Sequence, residues 1–429
     1  MLKVFLVFSL ICTPAMAQEV ALSLDQAIEK AKNYSPEMKL QANQIEKIRL
    51  EKRSVLGEAL PNVSTSYNVN NYIDKPVING FSLNSKYERT FDFTIRQALF
   101  RFGSLSGSLN AARIALGIAS LEKSMVERDI TYATKVAYYS SLLAKKQLEI
   151  SSSSLQNAKQ NLKILQNYFS SGRPPQGDLI RLQADIASRK SQLEEAKFNQ
   201  ELAHTQLRTL LGIDNSQPLQ LTDEFESNYS EVSKLQMRKD LEENQPQVQA
   251  LRKQIEYQEE LSRVQRAKTL PRLDAVYSFS SSDRSNGEIF DKDSNVSSSL
   301  VGVTLTWDIW SGGTNRANYK KALADKNRAE ILLSHQRNQL LSQFDAKVDE
   351  YNTLRTNLLN DKQSVKLAEQ SFRLSQNKFK TGKVSVTDLN NNEALLTQAK
   401  LTHALHQYQL AESLATIRKL VSYQAGETK

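Results

Sequence analysis

The sequence of 429 residues has a single cysteine, only nine prolines and fourteen glycines. Past residue 17 it has no run approaching the ~20 apolar residues that a membrane-spanning helix needs. Each shortage removes a class of answer. The cysteine, Cys12, falls in an N-terminal stretch with one positive charge at Lys3, an apolar run from Val4 to Cys12, Pro14, and Ala15-Met16-Ala17 before Gln18. That order describes a secretory signal over residues 1–17. Lipoprotein processing needs a small residue before the cysteine, and Ile11 stands there, so cleavage near Gln18 is the expectation. The exported chain would then have no cysteine, which excludes a disulfide framework, a thiolate metal site and a thiol nucleophile. So little glycine and proline argues against an all-β protein and for long uninterrupted helices. With no apolar helix to offer, the chain can enter a membrane only as β-strands.

The formal net charge is +9, and losing Lys3 with the signal makes it +8. The basic residues are spread along the chain, the pattern of solvated helix faces, and an exported protein is not expected to meet nucleic acid.

What the sequence does have is an internal repeat. Ser35-Pro36 recurs as Gln245-Pro246, Gln44-Ile45-Glu46 as Gln254-Ile255-Glu256, and Leu60-Pro61 as Leu270-Pro271. The same offset of 210 residues relates Gly103 to Gly313, Phe169 to Phe379, Gly172 to Gly382, and Asp178-Leu179 to Asp388-Leu389. We read a signal at 1–17, a first repeat at 18–212, a polar joining segment at 213–240, a second repeat at 241–422 and a C-terminal tail at 423–429. Because 210 is a multiple of both 7 and 2, heptad phase and strand parity carry over between the repeats.

Phe344, Tyr351, Leu358, Val365, Phe372 and Phe379 fall at seven-residue spacing, with Leu148, Leu155, Leu162 and Phe169 in the same phase 210 residues earlier. This is the pattern of a helix whose seam stays against a neighbour. The long helices should run from about Ser104 to Ser170 and from Thr314 to Lys380, each reaching on the order of 100 Å at ~1.5 Å per residue. After the breaks at Gly172 and Gly382 a further helix follows, with Asp178 and Asp388 as expected N-caps. Its seam includes Leu179, Ile186, Leu193 and Leu207, then Leu389, Leu396, His403, Leu410 and Ile417.

Four stretches have period two instead. Val63, Thr65, Tyr67 and Val69 alternate with Asn and Ser; Tyr87, Phe91, Phe93, Ile95 and Leu99 alternate with charged and hydroxyl residues. Leu273, Ala275, Tyr277 and Phe279, then Val301, Val303, Leu305, Trp307 and Ile309, do the same in the second repeat. These are strands with one greasy face, paired across loops carrying Asn79-Gly80 and Asn286-Gly287. Apolar outside and polar inside suits a barrel in lipid, but four strands cannot close one, and unpaired backbone cannot face lipid. Closure must therefore come from other copies.

Signal, repeated helix–hairpin–long helix–helix plan, Leu-Pro at strand entry, and the paired tips from Phe169 to Leu179 and from Phe379 to Leu389 together resemble the TolC-like outer-membrane efflux protein family. The resemblance implies a mainly α protein with membrane β-structure: a homotrimer with a twelve-stranded β-barrel, four strands per protomer, continued by a long α-helical coiled-coil periplasmic tunnel. It implies location in the outer membrane and passive conduction of substrates handed over by an inner-membrane pump, of RND or ABC type, and a periplasmic adaptor, in efflux or type I secretion. At the periplasmic tip, Asp388 matches a carboxylate ring position, Asn391 stands where the family has a second Asp, Phe379 where it has a gating tyrosine and Val384 where it has a gating arginine, while Asp178 is retained. Gly172, Arg173, Gly382 and Lys383 match the turns expected to meet the adaptor.

Two other classes compete. An enzyme would need a site, yet no nucleophile elbow, phosphate loop or zinc helix is present, and His403 and His406, three apart, lie on a packing seam. Met38, Met125 and Met237 are too few for a thioether relay. No cofactor and no metal is expected. A structural coiled-coil spacer or adhesin would explain the heptads but not the two hairpins.

Overall fold

The computed structural model describes residues 20–74, 77–78, 81–82, 85–168, 176–226, 229–290 and 294–421. The expected signal and the tail from 423 lie outside the described residues. In chain order the first half runs β1 (Val20–Leu22), α1 (Leu24–Tyr34), α2 (Pro36–Gly57), β2 (Asn62–Asn71), β3 (Val77–Ile78), β4 (Phe81–Ser82), β5 (Tyr87–Phe100), α3 (Ser104–Tyr168) and α4 (Gln176–Leu211). The second half runs β6 (Leu219–Leu221), α5 (Lys234–Asn244), α6 (Pro246–Ala267), β7 (Arg272–Ser285), β8 (Ser294–Thr306), α7 (Thr314–Phe379) and α8 (Val386–Leu420). The leading helix of each half is thus two helices, broken where Ser35 meets Pro36 and Gln245 meets Pro246. Proline lacks the N–H that continues a helix but suits the first position of a new one. Ser23 starts α1 through a capping box with Gln26.

Contacts divide the chain into two units: Met1–Lys39, Met125–Gln245 and Gln339–Lys429 in one, Leu40–Ser124 and Pro246–Asn338 in the other. The second unit carries the main sheet, antiparallel throughout in the order β2-β5-β7-β8. Val63, Ile95, Tyr277 and Val301 form one cross-strand row, so the odd positions share a face as period two requires. Edge-to-face rings tighten that face: Phe91 lies 6.4 Å from Phe279, and Phe93 lies 6.4 Å from Tyr277. Among the described residues, β2 and β8 have no partner on their outer edges, and Val63, Tyr67, Val301, Val303 and Leu305 are exposed there. The expectation that Trp307 and Ile309 continue the last strand is corrected. β8 ends at Thr306, and the Ile309 N–H turns back to the Trp307 carbonyl at 3.1 Å, out of the ladder.

The other unit is helical. Phe344, Tyr351, Leu358, Phe372 and Phe379 are buried along α7, and Leu155 is buried on α3. At about 1.5–3 kcal/mol for each large apolar side chain taken out of water, this seam is a principal source of stability for the unit. Phe169 lies outside the described residues. The stretch read as joining the repeats holds β6, which pairs in parallel with β1. Leu22, Leu219, Leu221, Leu207 and Tyr138 form a core around that pair, and the Tyr138 hydroxyl donates to the Leu22 carbonyl at 3.0 Å. Gly212 ends α4 at φ +63, where a Cβ would lie 2.2 Å from the Tyr34 ring, so any other residue there would strain the backbone and displace the ring.

Candidate functional site

The site begins at the turn between α7 and α8. Phe379 ends α7 buried against Leu165, Leu182, Val386 and Leu389. The Gly382 N–H closes onto the Phe379 carbonyl at 3.0 Å, and Gly382 itself has φ +70, a conformation that glycine adopts without strain. Lys383 follows, exposed, with its N–H on the Lys378 carbonyl at 3.0 Å. Val384 is half-buried, and Ser385 starts α8.

Both expected caps are corrected. Ser385 is the N-cap of α8: its Oγ accepts the Asp388 N–H at 3.1 Å, and its hydroxyl donates to Asp388 Oδ2 at 2.7 Å. Asp388, three residues in, is the acidic partner of the cap. Serine wins because a hydroxyl at that position reaches the free N–H groups of the first turn. α4 begins at Gln176, two residues before Asp178, which therefore lies in the first helical turn. A carboxylate there still faces the positive end of the helix.

A cavity of about 510 Å³ is lined by Ile164, Leu165, Asp178, Phe379, Gly382, Lys383, Val384, Ser385 and Val386. It brings Asp178, Phe379, Gly382, Lys383 and Val384 together. Asp388 and Asn391 stand exposed on α8 and do not line it. Gly172 and Arg173 lie outside the described residues. One polar link crosses near the cavity: the Arg181 guanidinium of α4 donates to Thr387 Oγ1 of α8.

Deeper in the unit lies a cluster that the sequence reading passed over. Arg189 of α4 is buried, with Nη1 at 2.9 Å from Glu393 Oε1 of α8 and Nε donating to Asp185 Oδ2 at 2.8 Å. Its Nη1 also donates to the Ser154 hydroxyl and carbonyl on α3. Asn161 of α3 donates to Glu393 Oε2 at 3.5 Å and accepts from Gln376 of α7 at 3.4 Å. All four helices therefore contribute to one buried polar network. Burial pushes the Glu393 carboxyl up to about 7, against the opposing pull of Arg189. A signal was present: Glu393 is four residues past Leu389 and three before Leu396, so it occupies the alternate seam position. Arg189 is likewise framed by seam residues, three past Ile186 and four before Leu193.

The histidines take ordinary roles. His406 Nδ1 lies 2.6 Å from Asp361 Oδ2, and burial lowers the pKa of His403. Among the described residues no group of three or more His, Cys, Asp and Glu side chains could hold a metal ion, and no helix is long and apolar enough to cross a membrane.

A chain of long helices with a four-stranded antiparallel sheet shares its fold with outer-membrane channels. The chain belongs to the outer membrane efflux protein family, which matches residues 27–213 and 237–422. Its fold is similar to that of the CmeC outer membrane channel of Campylobacter jejuni, at TM-score 0.81 and 16% identity over 92% of this chain and 85% of that one. VceC of Vibrio cholerae gives TM-score 0.77 and 16% identity over 92% and 95%, and the open state of the Neisseria gonorrhoeae MtrE channel gives 0.75 and 17% over 92% and 88%. Comparison with curated protein sequences gives no significant match.

Proposed function

We propose that the protein is the outer-membrane component of a tripartite efflux or type I secretion system, a passive conduit fed by an inner-membrane pump and a periplasmic adaptor. The observation that carries this reading is the sheet: four antiparallel strands with an apolar face and two unpaired edges. Such edges cannot sit in lipid unsatisfied, so β8 of one copy pairs with β2 of the next until the barrel closes. Three copies make twelve strands, and their long helices extend as a periplasmic tunnel.

In this reading the turns at Gly172-Arg173 and Gly382-Lys383 meet the adaptor, and the cavity beside Phe379 and Val384 lies at the closed end. Symmetric copies of Asp388 bring like charges toward the pore axis, where they attract cations. Asn391 adds hydrogen-bonding capacity there without charge. With Phe379 buried and Val384 apolar, neither supplies an ionic latch.

The test is single-channel recording of the purified protein in a planar bilayer. A stable low conductance, blocked by multivalent cations from the periplasmic side and relieved of that block by Asp388→Ala, supports the reading. Absence of any current from correctly inserted protein rejects it.

A further inference from the structure

The even positions of the four strands make the second, polar face of the sheet, and its charges are unevenly matched. Toward the hairpin loops they are satisfied. Glu88 accepts from Arg284 at 3.1 Å and from the Tyr72 hydroxyl at 2.8 Å, and Asp92 accepts from Ser280 at 2.8 Å and from Ser66 at 3.3 Å. Toward the helices the balance changes. Asp274 is buried and taken by Arg101 at 2.7 Å. Arg96 on β5 and Arg272 on β7 are exposed and have no hydrogen-bond or ion-pair partner among the described residues.

The neighbouring strands bring no counter-charge. Arg96 lies across from Asn62 on β2 and from Val276 on β7, Val276 lies across from Gly302 on β8, and Arg272 lies across from Thr306. At Gly302 nothing stands within 4 Å of where a Cβ would be, so the row beside Arg96 is open. Neither β2 nor β8 contains a charged residue anywhere along its length. Pairing β8 of one copy with β2 of the next therefore closes the sheet without bringing a strand carboxylate to either arginine. A guanidinium keeps its charge at physiological pH and presents a planar fork of donors that fits carboxylate and phosphate oxygens. Exposed and with no free acid beside it, it attracts anions.

We propose that Arg96 and Arg272 are specificity-determining residues of the conduit, an anion-attracting level inside the barrel that favours cargo bearing carboxylate or phosphate groups. Its sign is opposite to that of Asp388. The inference rests on the channel reading proposed above, which puts the even face on water inside the closed barrel.

The test reads the local charge directly. In a Cys12→Ser background, which leaves no other cysteine, Asn62→Cys sets one thiol across from Arg96. The full chain is purified in a non-ionic detergent at about 10 mM salt, where charges act over about 30 Å. Modification rates are measured with an anionic and a cationic methanethiosulfonate, each divided by its rate with a small free thiol. Both reagents meet the same thiolate, so a shifted thiol pKa cancels in their ratio. The anionic reagent should be favoured roughly fivefold, and the ratio should fall to about one when Arg96→Gln and Arg272→Gln are added, or at 1 M salt. Val276→Cys, on the other side of Arg96, repeats the measurement in an independent variant. In protein that carries current in a planar bilayer, three results overturn the inference: a ratio near one with both arginines present, a preference that survives their replacement, or a thiol that neither reagent reaches. Protein that carries no current overturns the channel reading and the inference with it.

Discussion

The hairpin of α3 with α4 and the hairpin of α7 with α8 are drawn from one repeated plan, yet they hold themselves together differently. Where α4 places Asp185 and Arg189, α8 has Leu395 and Ala399 at the matching positions. Where α8 begins on a serine cap, the matching residue before α4 is Pro175. The frame of apolar seam positions is common to both. The charged chemistry occurs once, because Arg189 of the first hairpin needs Glu393 of the second. Duplication therefore preserved the packing geometry and left the contacts between hairpins free to diverge.

Removing the unique charge should do most harm. Arg189→Ala removes a buried cation bonded to Glu393, Asp185 and the Ser154 carbonyl together and should cost about 3–5 kcal/mol, read as the urea unfolding midpoint of the detergent-solubilised protein. Replacing both partners, Arg189→Met with Glu393→Leu, should recover most of that loss. A double variant as weak as the single one would break the idea of a charge-specific join.

The next comparison sets equivalent seam leucines against each other. Leu389 is fully buried and its truncation to alanine should cost about 2–5 kcal/mol, while Leu179, half-buried at the matching place, should cost less than half as much. Equal losses would mean that both seams are packed alike.

Acidity offers a finer probe. Since burial raises the Glu393 carboxyl from 4.5 to about 7, folding favours its protonated form, and the associated stabilisation is complete below pH 4.5 and lost as pH rises through about 7. Glu393→Gln stays neutral throughout. Its unfolding midpoint should match the wild type at the acid end and exceed it above pH 7; a constant gap across the range would contradict the raised carboxyl. The smallest effect belongs to the cap: Ser385→Ala should cost about 1 kcal/mol, measured in the same unfolding experiment, and Asp388→Ala in that background should add little further.

Much of this was readable in the residues. The seam from Phe344 to Phe379 appears in the heptads, and the greasy face of the sheet in the odd positions of each strand. The error at the caps was one of choice: Ser385 and Asp388 are both good N-cap residues three apart, and only the backbone turn at Gly382 decides which of them meets the free N–H groups. Trp307 and Ile309 kept the alternation of a strand that had already ended, because parity does not register the loss of a hydrogen-bonding partner. Arg189 and Glu393 were visible as charges in an apolar frame, but nothing in the sequence says that α4 and α8 meet.

Periodicity determined the elements by itself, since which face of a helix or strand is apolar depends only on residues near in sequence. The repeat likewise determined that the elements come twice and in what order. Tertiary structure alone decided which seams face one another, that a buried carboxylate meets a buried guanidinium between hairpins, and that two guanidiniums on the sheet's polar face are left without a counter-charge. Those outcomes depend on pairings between residues up to some two hundred positions apart, which local patterns do not encode.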